Sequence, residues 1–210
     1  MAISLQALGI TPIIAEIKPK AVGRSLGPEE VAEYASTYQS CGACAISVLT
    51  EPLHFRGSLD NLRLARETTE LPVLRKDFIF DSRQIREAPA DLVLLIAALG
   101  LDLKSFVEET RSWGSEPLVE VHTRPELEMA LKTDADVIGI NNRNLGTLEV
   151  DLGTFERLAP LARDAGVFLV AESGISSRAD ALRMAKAGAD ALLVGSALMH
   201  NPKMLAELNR

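Results

Sequence analysis

The sequence predicts a single (β/α)8 barrel of the TIM-barrel class over residues 1–210. Three observations carry that expectation. Short apolar, β-branched runs recur about every 25 residues, with amphipathic helical stretches between them. No linker or shift of composition divides the chain. A doubly wound open sheet would want a GxGxxG turn after its first strand, and IKPKAVGRS (17–25) has none.

The strands are expected at IIAEIK (13–18), AISVLT (45–50), PVLRKD (72–77) and LVLLIA (92–97). The second half continues with PLVEVH (117–122), VIGIN (137–141), VFLVAES (167–173) and ALLVG (191–195). Pro28, followed by Glu29 and Glu30, opens the first helix with the sign its dipole favours. Thr123 with Glu126, and Ser177 with Asp180, have the spacing of capping boxes. The pairs Ala90-Asp91, Ala135-Asp136 and Ala189-Asp190 each precede a strand, which suggests a repeated βα unit.

With 47% hydrophobic and 24% charged residues, the chain can bury a sizeable core and is not of the disordered class. Its mean hydropathy is +0.12. A net charge of -7 argues against a nucleic-acid partner, which wants a basic face. The longest apolar run, LVLLIAALGL (92–101), is about half of a membrane span. The first residues, MAISLQALGITP, lack the marks of a signal peptide, so the cytoplasm is the expected location. Cys41 and Cys44 form a CxxC, but it precedes a strand instead of opening a helix. His54, His122 and His200 have no metal-ligand spacing, so small packing residues are the reading taken.

Barrels of this class carry chemistry at the C-terminal ends of their strands, and here those ends are charged. Strand one supplies Glu16 and Lys18, strand three Lys76, and strand five Glu120. Strand six supplies Asn141 and then Arg143, and strand seven Glu172. Residues two apart on a strand share a face, which groups Leu118 with Glu120 and His122, and Leu74 with Lys76 and Phe78. Apolar packing often replaces buried charge without loss of stability, so these charges point to acid–base chemistry. Ser173-Gly174 and Gly195-Ser196, after strands seven and eight, suggest a phosphate site.

These residues resemble the indole-3-glycerol phosphate synthase family over about 13–202. The motifs are AEIK (15–18), ISVLTE (46–51), FRGSLDNL (55–62) and LRKDFI (74–79), then PLVEVH (117–122), IGINNRNL (138–145), AESGI (171–175) and VGSALM (194–199). The resemblance implies ring closure of 1-(2-carboxyphenylamino)-1-deoxyribulose 5-phosphate to indole-3-glycerol phosphate, with loss of CO2 and water. It implies a carboxy-lyase of tryptophan biosynthesis that uses no metal or organic cofactor. Lys76 matches the general acid, Lys18 a lysine that holds the substrate carboxylate, and Glu120 the base. Glu16, Asn141 and Ser173 match orienting residues. Phe78, Leu94, Leu193, Arg143, Glu172, Gly174, Gly195 and Ser196 are expected to bind substrate, the last three at its phosphate.

The implied partner is a phosphorylated small molecule, with no nucleic acid and no membrane. A monomer is expected, with association with other tryptophan-pathway enzymes left open. Three departures stand out, the first two being that only twelve residues precede strand one and that Lys18-Pro19-Lys20-Ala21 replaces the family's serine-bearing loop. The turn before strand four, REAPADLV (86–93), is compressed. The sibling isomerase barrel of the same pathway is disfavoured, since Glu16, Lys18 and Asn141 stand where it uses cysteine and aspartate. A non-catalytic barrel that binds a phosphorylated ligand is the other alternative.

Overall fold

The structure, a computed structural model, describes residues 11–208. Eight parallel strands follow in chain order: β1 Ile13–Ile17, β2 Ala45–Leu49, β3 Val73–Lys76, β4 Leu92–Ile96, β5 Glu116–Val121, β6 Val137–Asn141, β7 Phe168–Glu172 and β8 Ala191–Val194. Each pairs with the next, and β8 returns to β1 with Ile13 opposite Leu192 and Ala15 opposite Val194. The expected barrel is formed, and every strand end lies within one residue of the run read from the sequence. Most of the short stretch before β1 lies outside the described residues.

The helices are α1 Pro28–Ser40, α2 Leu59–Thr68, α3 Ser82–Ile85, α4 Leu103–Ser112, α5 Arg124–Ala130, α6 Gly153–Ala162, α7 Arg178–Lys186, α8 Ser196–His200 and α9 Met204–Leu208. The compressed turn before β4 follows a helix, α3, of one turn only. Pro28 begins α1 as expected, with Glu30 accepting the Gly27 N–H at 3.0 Å.

The two expected capping boxes are displaced. Thr123 Oγ1 accepts the Glu126 N–H, but the Glu126 carboxylate reaches one residue further back, to the His122 N–H at 2.8 Å. Asp180 likewise reaches back one residue further, accepting the Ser176 N–H at 3.1 Å. Both carboxylates still satisfy an N–H that the helix start leaves free.

The repeated Ala-Asp pairs have a physical basis at two of their three positions. Asp91 accepts the Val73 N–H at 2.9 Å, and Asp190 accepts the Leu169 N–H at 2.9 Å. Each aspartate binds an N–H near the start of the preceding strand, where the ladder leaves donors over. Cys41 caps the end of α1, Cys44 lies just before β2, and both thiols are free. Burial pushes the Cys44 thiol up to about 11, away from the thiolate that redox or metal chemistry uses.

Alternation along the strands builds two cores. Ile13, Ala15, Ile17, Val73, Val119 and Val121 face outward into the layer shared with the helices. Ile14, Leu74, Leu94, Leu118, Val170 and Leu193 fill the barrel itself. Truncating such a residue costs about 2–5 kcal/mol, so this layer is a firm floor for what stands above it.

Candidate active site

Above that floor the strand ends surround a cavity of about 810 Å³. Every site residue expected from the sequence lines it except Glu172. Glu172 is fully buried and reaches Lys76 from beneath the cavity floor, so its contact is with the lysine.

Lys76 continues the inward face of β3 after Leu74, and its ammonium lies between two carboxylates. Nζ is 3.0 Å from Glu120 Oε2 and also hydrogen-bonds Glu172 Oε2. A pair of unit charges at 3.0 Å is worth roughly 5 kcal/mol in an effective dielectric of about 20. Each ion loses several kcal/mol on burial. The cluster therefore adds little to stability, and its use must be sought in chemistry.

The pKa directions follow from this crowding. Burial pushes the Lys76 ammonium down, but the charges of Glu120, Glu172 and Glu16 outweigh it and hold its pKa above the ordinary lysine value. Burial pushes Glu120 up, but Lys76 and His122 outweigh it and keep it well below the carboxylate range. Glu172 is pushed up to about 8, by burial first and by the charge of Glu120. Two buried carboxylates on one lysine thus separate into an ionised one and one that holds its proton near neutrality.

Two glycines, one in β6 and one just after β8, make room for the acids. A Cβ at Gly139 would meet Glu172 Oε1 at 2.1 Å, and one at Gly195 would meet Glu16 Oε1 at 2.3 Å. Gly195 was expected only to let an anion approach the backbone; it also houses the Glu16 carboxyl. Glu16 is buried, and its Oε2 is a buried oxygen with no hydrogen-bond partner.

The opposite side of the cavity is built from backbone. Ser173 takes φ 64° and Gly174 φ 82°, two successive left-handed residues, of which the serine is strained. Asn142 holds the turn in place: its Nδ2 donates to the Ser173 carbonyl at 3.1 Å and its Oδ1 accepts the Phe155 N–H at 3.0 Å. Asn141 Oδ1 accepts the Arg143 N–H at 2.9 Å, and the Arg143 guanidinium donates to the Leu148 carbonyl at 2.8 Å. Arg143 is thus held in a folded loop that lines the same cavity as Gly174 and Ser196.

Several site residues escaped the sequence reading. Phe55 packs on Phe78 with ring centroids 6.1 Å apart, extending the aromatic side of the cavity. Lys18 and Lys20 both place an ammonium over the Phe55 ring, at 5.7 and 5.4 Å. Phe55 opens the motif FRGSLDNL, which was the available signal. Glu51 accepts the N–H groups of Leu53, His54 and Phe55, shaping the loop that carries that ring. Arg75 is 1% exposed on the outer face of β3 and ion-pairs Asp77 and Glu87, each at 3.0 Å. Asp77 in turn accepts the Thr50 hydroxyl at 2.6 Å, tying the ends of β2 and β3 together beside Lys76. No group of three His, Cys, Asp or Glu able to hold a metal ion occurs among the described residues.

Comparison with known proteins gives the family. The sequence profile described as "Indole-3-glycerol phosphate synthase" matches residues 4–210. A curated protein of that name from Halobacterium salinarum is 51% identical over 201 residues, covering 95% of this chain and 80% of its own. Another from Kineococcus radiotolerans is 50% identical over 194 residues, covering 89% of this chain and 70% of its own. Among solved structures, the N-acetylmannosamine-6-phosphate 2-epimerase from Clostridium perfringens superposes with a TM-score of 0.71 over 94% of this chain and 93% of its own. At 14% identity that likeness concerns the fold alone. On the family match and these identities, the chain belongs to the indole-3-glycerol phosphate synthase family.

Proposed function

We propose that this carboxy-lyase of tryptophan biosynthesis works with Lys76 as general acid and Glu120 as base at the floor of the cavity. The observation that carries this is the Lys76 ammonium held between Glu120 and Glu172. A lysine that stays charged can donate a proton to the ribulose carbonyl oxygen as the aryl carbon attacks it. Glu120, kept ionised beside it, can take the proton from the ring carbon next to nitrogen in the final dehydration. The intervening cation loses CO2, and dehydration then yields the indole ring.

Lys18 faces the substrate carboxylate in this reading and serves as acid in the dehydration. Lys20, the second cation over Phe55, adds to the attraction for that end. A cavity that does not hold the carboxylate too tightly in the ground state favours its loss; two lysines over an aromatic ring suit that need better than a bidentate clamp. Phe78, Leu94 and Leu193 pack the aryl ring. Arg143 and the backbone at Gly174, Gly195 and Ser196 take the phosphate, while Glu16, Asn141 and Ser173 orient their neighbours. Residues 1–210 are read as one domain, in keeping with the single closed barrel, and as a monomer. The cytoplasmic location rests on the family's biosynthetic role.

The test is turnover of the carboxyphenylamino-deoxyribulose phosphate, followed by indole fluorescence. Lys76→Ala should abolish product formation while circular dichroism stays that of a folded barrel. A Lys76→Ala protein with most of its turnover would remove the general-acid assignment. Tight binding of substrate by the unaltered chain with no indole formed would mark a binding barrel instead.

A further inference from the structure

Between β5 and α5 lies a group that the steps above leave unused. The His122 side chain is 7% exposed, and both of its ring nitrogens face carboxylates. Nδ1 hydrogen-bonds Glu126 Oε2 at 3.0 Å, while Nε2 lies 3.2 Å from Glu120 Oε1 as a charge contact off the hydrogen-bond line. A neutral imidazole carries one N–H and can serve only one of these acceptors. An imidazolium serves both.

Glu126 is itself held. Its carboxylate also accepts the His122 backbone N–H and the Thr123 hydroxyl, each at 2.8 Å. The displaced capping box of α5 is therefore an anchor for the imidazole. Glu120 is gripped at both oxygens, Oε2 by Lys76 and Oε1 by His122.

We propose that His122, anchored by Glu126, is a positioning residue that keeps Glu120 ionised and turned towards Lys76. This rests on the assignment of Glu120 as the base. A carboxylate between two cations stays ionised to lower pH than one beside a single cation. The groups facing His122 are Glu120 on its own strand and Glu126 on α5; behind Glu120 stand Lys76 of β3 and Glu172 of β7. Removing the imidazolium raises the pKa of Glu120, so the acid limb of kcat moves to higher pH.

The experiment compares His122→Asn and Glu126→Gln with the unaltered protein, measuring kcat and KM from about pH 3 to 9. Asparagine keeps a donor amide but cannot carry the charge. His122→Asn should move the acid limb up by about one pH unit and lower kcat about tenfold at pH values below that limb, with kcat near pH 6 and KM changed by less than about twofold. Glu126→Gln should move the same limb in the same direction by less. A folded His122→Asn protein with an unmoved limb overturns the proposal, as does a raised KM at constant kcat. If His122→Asn does not fold, an unmoved limb in Glu126→Gln overturns it instead. The base assignment fails separately, if Glu120→Gln retains turnover.

Discussion

Gly139 of β6 and Glu172 of β7 occupy one space: a methyl group on the glycine would lie 2.1 Å from the carboxylate oxygen Oε1. Glu172 can stand behind Lys76 only because the neighbouring strand offers no side chain there. A feature that reads as a weak point in a strand is thus a condition for the charge cluster.

Gly139→Ala should therefore displace Glu172 and lower stability by about 1–3 kcal/mol, the range for overpacking. Turnover should fall with it. Adding Glu172→Ala to Gly139→Ala removes the clash, so the double variant should be more stable than the sum of the two single losses. Urea unfolding of the four proteins checks this. Strict additivity would mean the two residues do not compete for the space.

Glu172, pushed up to about 8, is largely protonated at neutral pH. Glu172→Gln imitates that form. It should keep most of the activity near pH 6.5 and lose the inflection that the unaltered protein shows in kcat near pH 8. A kcat profile with the same inflection in both proteins would assign that titration elsewhere.

Lys20 bears on binding at the aromatic end of the cavity. Lys20→Met should raise KM for the carboxylated substrate roughly three- to tenfold, as expected for one charge contact in a partly solvated site. Its kcat should change less than twofold. The product has lost the carboxylate, so its inhibition constant should stay constant; an equal rise in both would place Lys20 at the phosphate.

His122 also gives stability a pH dependence. Burial lowers its pKa, but Glu120 and Glu126 outweigh this and raise it to about 9, above the ordinary value near 6.5. A raised folded-state pKa contributes stability that is full below about pH 6.5 and is lost as pH climbs through about 9. The loss is of order 3 kcal/mol, since one pKa unit is about 1.4 kcal/mol. The raised Glu172 declines in the same direction, so the His122→Asn protein should keep part of the slope. Urea midpoints at about pH 6 and 9 for both proteins measure the difference.

Much of this was legible in the chain because a strand has a period of two and a barrel has one inside. Ile14 with Glu16, Leu74 with Lys76, and Leu118 with Glu120 could be assigned to the inward face by parity alone. The motifs then named the chemistry that such strand ends serve. Boundaries were equally legible, since β-branched runs stop where glycine, proline and caps begin.

Partnership was not legible, because it depends on closure. That Lys76 of β3 meets Glu120 of β5 and Glu172 of β7 follows from tilt and shear, which bring non-adjacent strands to one point above the core. That Gly195 yields its place to Glu16 follows from β8 returning to β1. Arg75 shares strand β3 with Lys76 and by parity faces outward; only the short helix α3 and the loop around it bury the guanidinium between Asp77 and Glu87. Local periodicity sets which face a side chain leaves from; the closed barrel decides what it meets, because those contacts join residues 44 and 96 positions apart.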